Sequence, residues 1–480
     1  MKLSLVPWIA TFVALLAIGC GKPTTPPGSG DPGAVTVDGQ LGTPILLSTG
    51  QSTVYARIRI GTTKRPARPR GPANVALAID TSGSMEGAAI EDARAAAVQM
   101  IDALKDGDRL AVVIFHSRTE ILFNSTELDA EARAEVKAKL AKIEARGTTD
   151  MSGGLDAALE EVRAHATPKG LNRVILLGDG IPNRGERIEH TARRAAESGI
   201  AITAMGLGLD YDETLMAKIA EITGGRYRYI ETSDKVASFF SEELDRLDFV
   251  YGRGATATLT PGPGVKIDAV IGGHAPADGS PAYVSLGDIS RGDSRDILVR
   301  LTVTPRKAGV PIELLDAVVT FDDALESAGR LERSVYLGAQ TSDDPARVAA
   351  AKNTDVELSV AIGEASDATL RALDLGKQGS YVRARELLTK GADAALAQAK
   401  RTPSAALEKQ AASMVAVAKD MPEVDKVAAP AKTSDDSHGY EFTDDPTSSG
   451  SFGPQPAQMS TPAAIRTRKQ VHQQSYESLH

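Results

Sequence analysis

The stretch that decides the fold is NVALAIDTSGSM, residues 74–85. Residues 75–79 are a short, continuous apolar run, which is typical of a strand buried on both faces of a parallel sheet. The second half of the stretch replaces the apolar side chains with an aspartate, two serines, a threonine and a glycine, which are common in turns. The stretch therefore predicts a central strand that ends at Asp80 in a turn rich in hydroxyl groups.

The same pattern continues from residue 74 to about residue 247. Further apolar runs begin near residues 110, 174 and 200, and segments with helical periodicity separate them. Buried runs that alternate with helices predict an α/β fold, with a doubly wound, Rossmann-like, mainly parallel sheet covered by helices on both faces. Residues 120–123 (EILF) predict a short antiparallel strand at the edge of this sheet.

The regions on either side have different patterns. Residues 251–337 show period-two alternation with Gly, Pro and Asp between the runs, which predicts a flanking antiparallel β-sandwich, and the strand around Val54 would complete it. Ala-rich helical periodicity follows, and then the apolar content falls, which indicates disorder. The expected organisation is a signal peptide at 1–20, a flexible linker at 21–34, strands that pair with the sandwich at 35–72, the α/β domain at 73–248, the β-sandwich at 249–340, a helical region at 344–420 and a disordered tail at 423–480.

The first twenty residues predict export and anchoring. Met1-Lys2 is followed by an apolar run that is short for a membrane span and has the layout of a signal peptide. Cys20, the single cysteine of the chain, resembles the lipidated residue of a bacterial lipoprotein, although Ala17 stands where Leu is preferred. We therefore expect a lipid anchor at Cys20 in a bacterial membrane of the cell envelope, on the outer membrane or the periplasmic face. The alternative is an ordinary secretory signal with an incidental cysteine.

Two aspartates and several hydroxyls are predicted to meet at one edge of the α/β sheet. Ligands of open α/β sheets bind beyond the carboxyl ends of the strands, and Asp80 and Asp179 each follow such an end. Ser82 and Ser84, spaced by two, can point the same way, and residues 146–150 (RGTTD) add further hydroxyls. These side chains are the candidate ligands of a metal ion.

The chemistry of these oxygens favours Mg²⁺, with Ca²⁺ or Mn²⁺ as alternatives. Magnesium prefers six oxygen ligands and keeps several waters. Neutral serine and threonine ligands leave the ion strongly positive, and the two aspartates can hold metal-bound waters. A carboxylate from outside would then complete the coordination. The expected partner therefore presents a carboxylate group. Nucleic acid is not expected, because the net charge is -9.

These residues resemble the three-part metal-ion-dependent adhesion site of the von Willebrand factor A (vWA) family. The resemblance rests on the turn from Asp80 to Met85, a threonine after a glycine loop, and the run Leu177-Gly178-Asp179-Gly180. It implies that Asp80, Ser82, Ser84, Thr149 and Asp179 form the site, with Thr148 as the alternative to Thr149. It also implies a binding protein rather than an enzyme, with a protein ligand that presents an acidic side chain as the partner. Gly178 departs from the usual Thr or Ser. The flanking strands and helical tail are similar to those of bacterial envelope lipoproteins that carry this domain.

Three functions remain open at this point. The first is metal-dependent protein binding, in adhesion or complex assembly. The second is a structural or assembly role with a vestigial metal site, in which the hydroxyls only cap a helix and the aspartates order turns. The third is a metal-dependent phosphohydrolase of the haloacid dehalogenase type. That family needs a second aspartate two residues after the first, and Ser82 stands there, which argues against it.

Overall fold

A computed structural model of the chain describes residues 32–64, 70–167, 170–179, 185–273, 276–277, 279–304, 306–326, 328–425 and 461–480. The predicted signal peptide with Cys20, the predicted linker up to residue 31, and residues 426–460 of the predicted tail lie outside these ranges. Within them, no helix combines the length and the apolar character that a bilayer span needs.

The described chain begins with β1 (Val35–Leu41), β2 (Ile45–Leu47) and β3 (Ser52–Thr62). Along β1 buried and less buried residues alternate, because successive side chains of a strand point to opposite faces and only one face lies on the core. β3 runs antiparallel to β1, with Ile60 opposite Val37.

Strands and helices then alternate, as the apolar runs predict. The elements are β4 (Ala73–Asp80), α1 (Ala88–Ala103), β5 (Arg109–Phe115), β6 (Thr119–Glu127), α2 (Ala130–Leu140), α3 (Met151–Arg163), β7 (Leu171–Gly178), α4 (Gly185–Glu197), β8 (Ala201–Leu207), α5 (Glu213–Thr223), β9 (Tyr227–Ile230) and α6 (Val236–Asp248). The sheet has the order β6-β5-β4-β7-β8-β9, and its pairs are parallel except for β6, which lies antiparallel to β5 at the edge. The predicted α/β class, with its antiparallel edge strand, is confirmed.

β4 lies at the centre of this sheet and contributes to a hydrophobic core on each face. Val75, Leu77 and Ile79 belong to the core on the side of α1 and α6, whereas Ala76 and Ala78 belong to the core on the side of α3 and α4. Every residue of β4 is buried. The strand is therefore held from both sides, and its last residue is fixed at the carboxyl edge of the sheet.

The chain continues into a second set of strands that packs as a sandwich with the first ones. These strands are β10 (Val250–Pro261), β11 (Val265–Val270), β12 (Ala282–Ser290), β13 (Ser294–Val303), β14 (Pro311–Asp323) and β15 (Arg330–Ser342). One sheet has the order β1-β3-β13-β11 and the other β12-β10-β14-β15-β2. Ile58 of the first sheet and Ala257 of the second lie in one shared core. Because β3 pairs with β13, the segments before and after the α/β domain join in one sandwich.

The α/β domain contacts the sandwich through ion pairs and one close backbone approach. Arg173 of β7 binds Asp288 of β12 at 2.8 Å, and both side chains are largely buried. Gly224, which ends α5 with a φ of 65°, lies against Gly287, and a Cβ on Gly287 would come within 1.8 Å of the Gly224 oxygen. Only glycine fits this approach, so the two domains meet at a defined position.

A helical region follows the sandwich: α7 (Pro345–Ala350), α8 (Thr354–Lys377), α9 (Tyr381–Arg401) and α10 (Ala405–Asp420). α8 packs on α9 and α9 on α10. Many of the core positions are alanines, such as Ala384 and Ala392, which allow the helix axes to approach closely. α8 also rests on β3, where the Tyr55 hydroxyl donates a hydrogen bond to Glu364 at 2.9 Å.

The predicted disorder of residues 423–480 is wrong for their last part. α11 (Pro462–Glu477) is a helix that packs against α8, α10, α5 and β9. Val471 and Tyr476 are buried, but so are Lys469, His472 and Ser475. Polar residues thus occupy much of the buried face, so the sequence shows no apolar stripe, and its composition indicates disorder.

Acid is expected to weaken the docking of α11. His472 is 2% exposed, and burial lowers its pKa from 6.5 to about 4. The docked helix therefore favours the neutral imidazole, whereas the undocked helix takes up a proton below about pH 6.5. The contribution to stability is complete above this pH and is lost as the pH falls towards 4. The ionisable groups that face His472 are Lys469 on its own helix, Asp212 and Glu213 at the start of α5, Lys377 on α8, and Tyr227 on β9.

Calorimetric melting of wild type and His472→Leu between pH 7 and pH 4 tests this expectation. The wild-type melting temperature should fall across this interval, and the fall should be smaller in His472→Leu. Exposed His165 supplies the control variant, His165→Leu. Titration of Glu213 does not produce the same fall in melting temperature. Burial raises the pKa of Glu213, but Lys377 and Lys469 outweigh burial and lower this pKa to about 2. The contribution of Glu213 to stability is therefore lost only as the pH falls below its ordinary pKa of 4.5. If the melting temperature fell equally with pH in wild type and in His472→Leu, the prediction would be contradicted.

Candidate metal centre

The first predicted loop turns sharply at the end of β4. Asp80 is fully buried, and its Oδ1 accepts a hydrogen bond from the backbone N–H of Ser82 at 2.8 Å. This bond closes a turn of the Asx type, and one turn of 3₁₀-helix follows at Gly83–Met85. The Oγ atoms of Ser82 and Ser84 are 3.0 Å apart. The turn therefore brings the two hydroxyls together above the carboxyl edge of the sheet.

The second loop, residues 146–150, is hydrogen-bonded to the first. Arg146 N donates to Thr81 O at 2.7 Å, and Gly83 N donates to Gly147 O at 3.0 Å. Gly147 has a φ of 71°, a left-handed conformation that favours glycine. Thr149 is buried, whereas Thr148 is exposed and its hydroxyl donates to Ser117 Oγ at 3.2 Å. The burial therefore favours Thr149 over Thr148 as the threonine of the site.

The third loop begins with Asp179, directly after β7. Its Oδ1 accepts a hydrogen bond from Ser84 Oγ at 2.7 Å, so the first and third loops touch through side chains. Gly178 lies beneath the Asp80 carboxylate, because a Cβ on Gly178 would be 3.3 Å from Asp80 Oδ2. The structure thus joins the side-chain oxygens of Ser82, Ser84 and Asp179, with Asp80 bonded to the Ser82 backbone and the buried Thr149 on the adjoining loop.

The spacing of these oxygens fits a small hard cation. In an octahedral Mg²⁺ site with metal–oxygen distances of about 2.05 Å, neighbouring ligand oxygens are about 2.9 Å apart. Here the Oγ atoms of Ser82 and Ser84, two of the proposed direct ligands, are 3.0 Å apart. Asp179 Oδ1 accepts a hydrogen bond from Ser84 Oγ at 2.7 Å, so its carboxylate lies next to these ligands, where it could hold a metal-bound water. Hydroxyl and carboxylate oxygens are also the ligand types that Mg²⁺ prefers. The donor set therefore fits the ion that the sequence predicts.

The crevice contains carboxylates whose negative charge is disfavoured by burial and by neighbouring carboxylates. Burial raises the pKa of Asp179, and the nearby Asp210 carboxylate raises it further, while the Ser84 hydrogen bond acts in the opposite direction. A divalent cation would relieve both unfavourable effects, because it balances the charges. Among the described residues, no group of three or more His, Cys, Asp or Glu side chains is placed to hold a metal. The predicted ligand set, with two carboxylates and three hydroxyls, is of a different kind.

The structure adds residues that the motif does not include. His116 orders the second loop: its carbonyl accepts a hydrogen bond from Asp150 N at 2.7 Å, and its Nε2 accepts one from Arg146 Nε at 3.2 Å. Ser117 holds the same loop through Thr148. Asp210 lies three residues after the end of β8, on the same edge as Asp179. Its place after a strand end is the only signal that sequence reasoning could have used.

Comparisons with known proteins agree with this fold. The family profile described as "von Willebrand factor type A domain" matches residues 74–242. The Escherichia coli protein YfbK is 26% identical over 252 residues, which are 49% of this chain and 43% of that protein. The chain spans less than half the length of the curated relatives it matches.

Two solved structures show the same fold. The von Willebrand factor type A protein from Catenulispora acidiphila has a TM-score of 0.63 at 20% identity, and the match covers 77% of this chain and 87% of that one. The ArnB paralog VWA2 from Sulfolobus acidocaldarius has a TM-score of 0.55 at 16% identity, with 93% and 99% covered. The strand order, the loops at the carboxyl edge and the matching profile lead to one conclusion. Residues 74–242 of the chain form a von Willebrand factor type A domain.

Proposed function

We propose that this protein binds a protein partner through a divalent cation held in its vWA domain, and that it does so without catalysis. Domains of this family commonly mediate protein interactions that depend on a metal ion. The observation that carries the proposal is the chain of oxygens from Ser82 through Ser84 to Asp179, which joins two separate loops at distances of 3.0 and 2.7 Å.

In this proposal each side chain has a distinct role. Ser82, Ser84 and Thr149 would hold the ion directly, and Asp80 and Asp179 would hold its waters. The cation, Mg²⁺ in the first place and Ca²⁺ or Mn²⁺ as alternatives, supplies a concentrated positive charge for a carboxylate of the partner. Because the direct protein ligands are neutral, that carboxylate would meet a largely uncompensated charge. Hydrogen bonds between the loops, such as Gly83 N to Gly147 O, preorganise the site before the partner arrives.

Affinity capture from envelope extract tests the proposal. The full-length protein is immobilised with Mg²⁺ or with a chelator, in parallel with Ser82→Ala/Ser84→Ala, and the retained proteins are identified. We expect one partner to be lost both with the chelator and in the variant, and to be lost again when an acidic residue of that partner is replaced. A partner that is retained in both conditions would support the structural role with a vestigial site, and Mg²⁺-dependent turnover of phosphoesters would support the hydrolase.

Anchoring in the cell envelope is part of the same proposal. Its support is the apolar run that ends at Cys20, the only cysteine of the chain. We expect wild type to sediment with bacterial membranes and to require detergent for release, whereas Cys20→Ser should be soluble or retain an uncleaved signal. Release of the wild-type protein by salt alone would contradict lipid anchoring, because acyl chains are held by the hydrophobic effect rather than by charge.

A further inference from the structure

The loop Gly208–Asp212, between β8 and α5, borders the candidate metal centre. β8 is the parallel neighbour of β7, with Gly206 opposite Gly178, so the loop leaves the sheet beside Asp179. Gly208 N donates to Ile230 O at 2.9 Å, which ties the start of the loop to β9. Asp210 lies in this loop, three residues after the end of β8. The loop is therefore a fourth loop of the crevice.

The end of this loop is held by α11. Lys469 Nζ donates to the backbone oxygen of Tyr211 at 2.8 Å and to Glu213 Oε2 at 2.9 Å. The same Nζ lies 3.7 Å from the centre of the Tyr211 ring. Lys469 is 3% exposed, so its charge depends on these partners. From α8, Lys377 Nζ binds Asp212 Oδ1 at 2.5 Å.

Tyr211 connects this contact to the sheet itself. Its ring lies directly on β8, because a Cβ on Gly206 would be 2.1 Å from the ring. Its hydroxyl shares a hydrogen bond of 2.6 Å with the Tyr227 hydroxyl of β9, and Tyr227 in turn contacts Tyr476 of α11 edge-on at 5.6 Å. A displacement of α11 thus acts on both ends of one buried aromatic contact beside the crevice.

We propose that α11 is a strap that positions the Gly208–Asp212 loop beside the metal centre, so that docking of α11 and binding of a divalent cation favour each other. This inference rests on the proposed metal site. The reason is local: without Lys469 the backbone at Tyr211 loses its donor, and the loop that carries Asp210 is free to move away from Asp179. By thermodynamic linkage, a helix that strengthens cation binding is itself stabilised by the cation, to the same factor.

The test compares full-length Lys469→Ala with Gln470→Ala. The two residues are neighbours on α11, but Lys469 is buried and Gln470 is exposed, and alanine favours the helix in both variants. Titration calorimetry measures Mn²⁺ and Mg²⁺ affinity, and hydrogen exchange measures the opening of α11 with and without the ion. We expect Lys469→Ala to weaken cation binding by about fivefold or more and to speed exchange in α11, while Gln470→Ala behaves as wild type. In wild type, the ion should slow exchange in α11.

The outcomes separate this inference from the proposed function. Faster exchange in Lys469→Ala with unchanged cation affinity would overturn the strap and leave the metal site intact. Unchanged exchange in Lys469→Ala would also overturn it, since Lys469 would not hold the helix. A wild-type protein that binds no divalent cation would overturn the proposed function, and the strap with it. If Lys469→Ala does not fold, Lys469→Met keeps most of the apolar stem and replaces it in the same measurements.

Discussion

The Ser82→Ala/Ser84→Ala variant is expected to lose divalent-cation affinity by about 100-fold or more, since even the groups that only support metal ligands are worth about 10- to 100-fold. The substitution removes two of the proposed neutral ligands and the hydroxyl that donates to Asp179 at 2.7 Å. The backbone bond from Ser82 N to Asp80 Oδ1 does not need the serine side chain, so the turn itself should persist.

Calorimetry and thermal melting measure this effect independently. A bound ion raises the melting temperature of the folded state that binds it, so Mg²⁺ should stabilise wild type but not the variant. The matched control is Ser238→Ala/Ser241→Ala on α6, where both serines are exposed and bond only to carbonyls of their own segment. The control should bind the ion as wild type does. Equal affinity in the Ser82→Ala/Ser84→Ala variant would contradict the assigned ligands.

Asp108→Ala is expected to destabilise the α/β domain by about 2–4 kcal/mol, because it removes the carboxylate that satisfies two backbone N–H groups and one of the two carboxylates that pair with the buried Arg70. Both oxygens of Asp108 bind the Arg70 guanidinium, at 2.6 and 2.7 Å, and they also accept from the backbone N–H groups of Ala73 and Lys105. The side chains of Asp108 and Arg70 are 1% and 6% exposed. Alanine would leave the two backbone donors without an acceptor and would remove two hydrogen bonds of the guanidinium, which keeps Asp248 and the Gly71 oxygen as partners.

Urea denaturation of Asp108→Ala and Asp106→Ala checks this prediction. Asp106 is two residues away and pairs with Arg133 at 3.0 Å, but it is 87% exposed. An exposed pair of this kind contributes at most about 1 kcal/mol, so Asp106→Ala should unfold almost as wild type does. If Asp108→Ala lowered the free energy of unfolding no more than Asp106→Ala does, the prediction would be contradicted, and water would be able to replace the hydrogen bonds of Asp108.

The core of the fold could be predicted because local pattern and tertiary environment agree there. β4 contains the continuous apolar run Val75–Ile79, and the structure buries it on both faces. Asp80 and Asp179 follow parallel strands, so topology alone places them at one edge of the sheet. For these residues, the hydrophobic period of the sequence and the direction of the strands are enough to predict their positions.

The preference for Thr149 over Thr148 came from its position in the motif that the sequence resembles, and the local pattern does not decide between them. Both are hydroxyl residues in one glycine loop, and sequence spacing does not fix which side chain turns inward. The structure separates them through contacts with distant residues: Gly147 O accepts from Gly83 N, and Ser117 takes the Thr148 hydroxyl. The burial of Thr149 follows from these bonds rather than from any local preference.

Helix α11 was missed because, as with Thr149, contacts with distant residues determine its structure. Local signals for its start are present: Thr461 caps the helix, and Pro462 takes its first position. Its buried face carries Lys469 and His472, although residues of these types are usually exposed to solvent. Lys469 is satisfied by Tyr211 and Glu213, which lie more than 250 residues away in the sequence. Polar contacts between residues so far apart produce no hydrophobic periodicity in the sequence.

The most direct test of the central claim is a crystal structure of the protein grown with Mn²⁺, with anomalous scattering used to locate the ion. We predict one peak between the three loops, within about 2.3 Å of oxygens of Ser82 and Ser84, with Thr149, Asp80 and Asp179 as the other protein groups around it. A saturating Mn²⁺ concentration that gives no peak there, or a peak only elsewhere on the protein, would contradict the account.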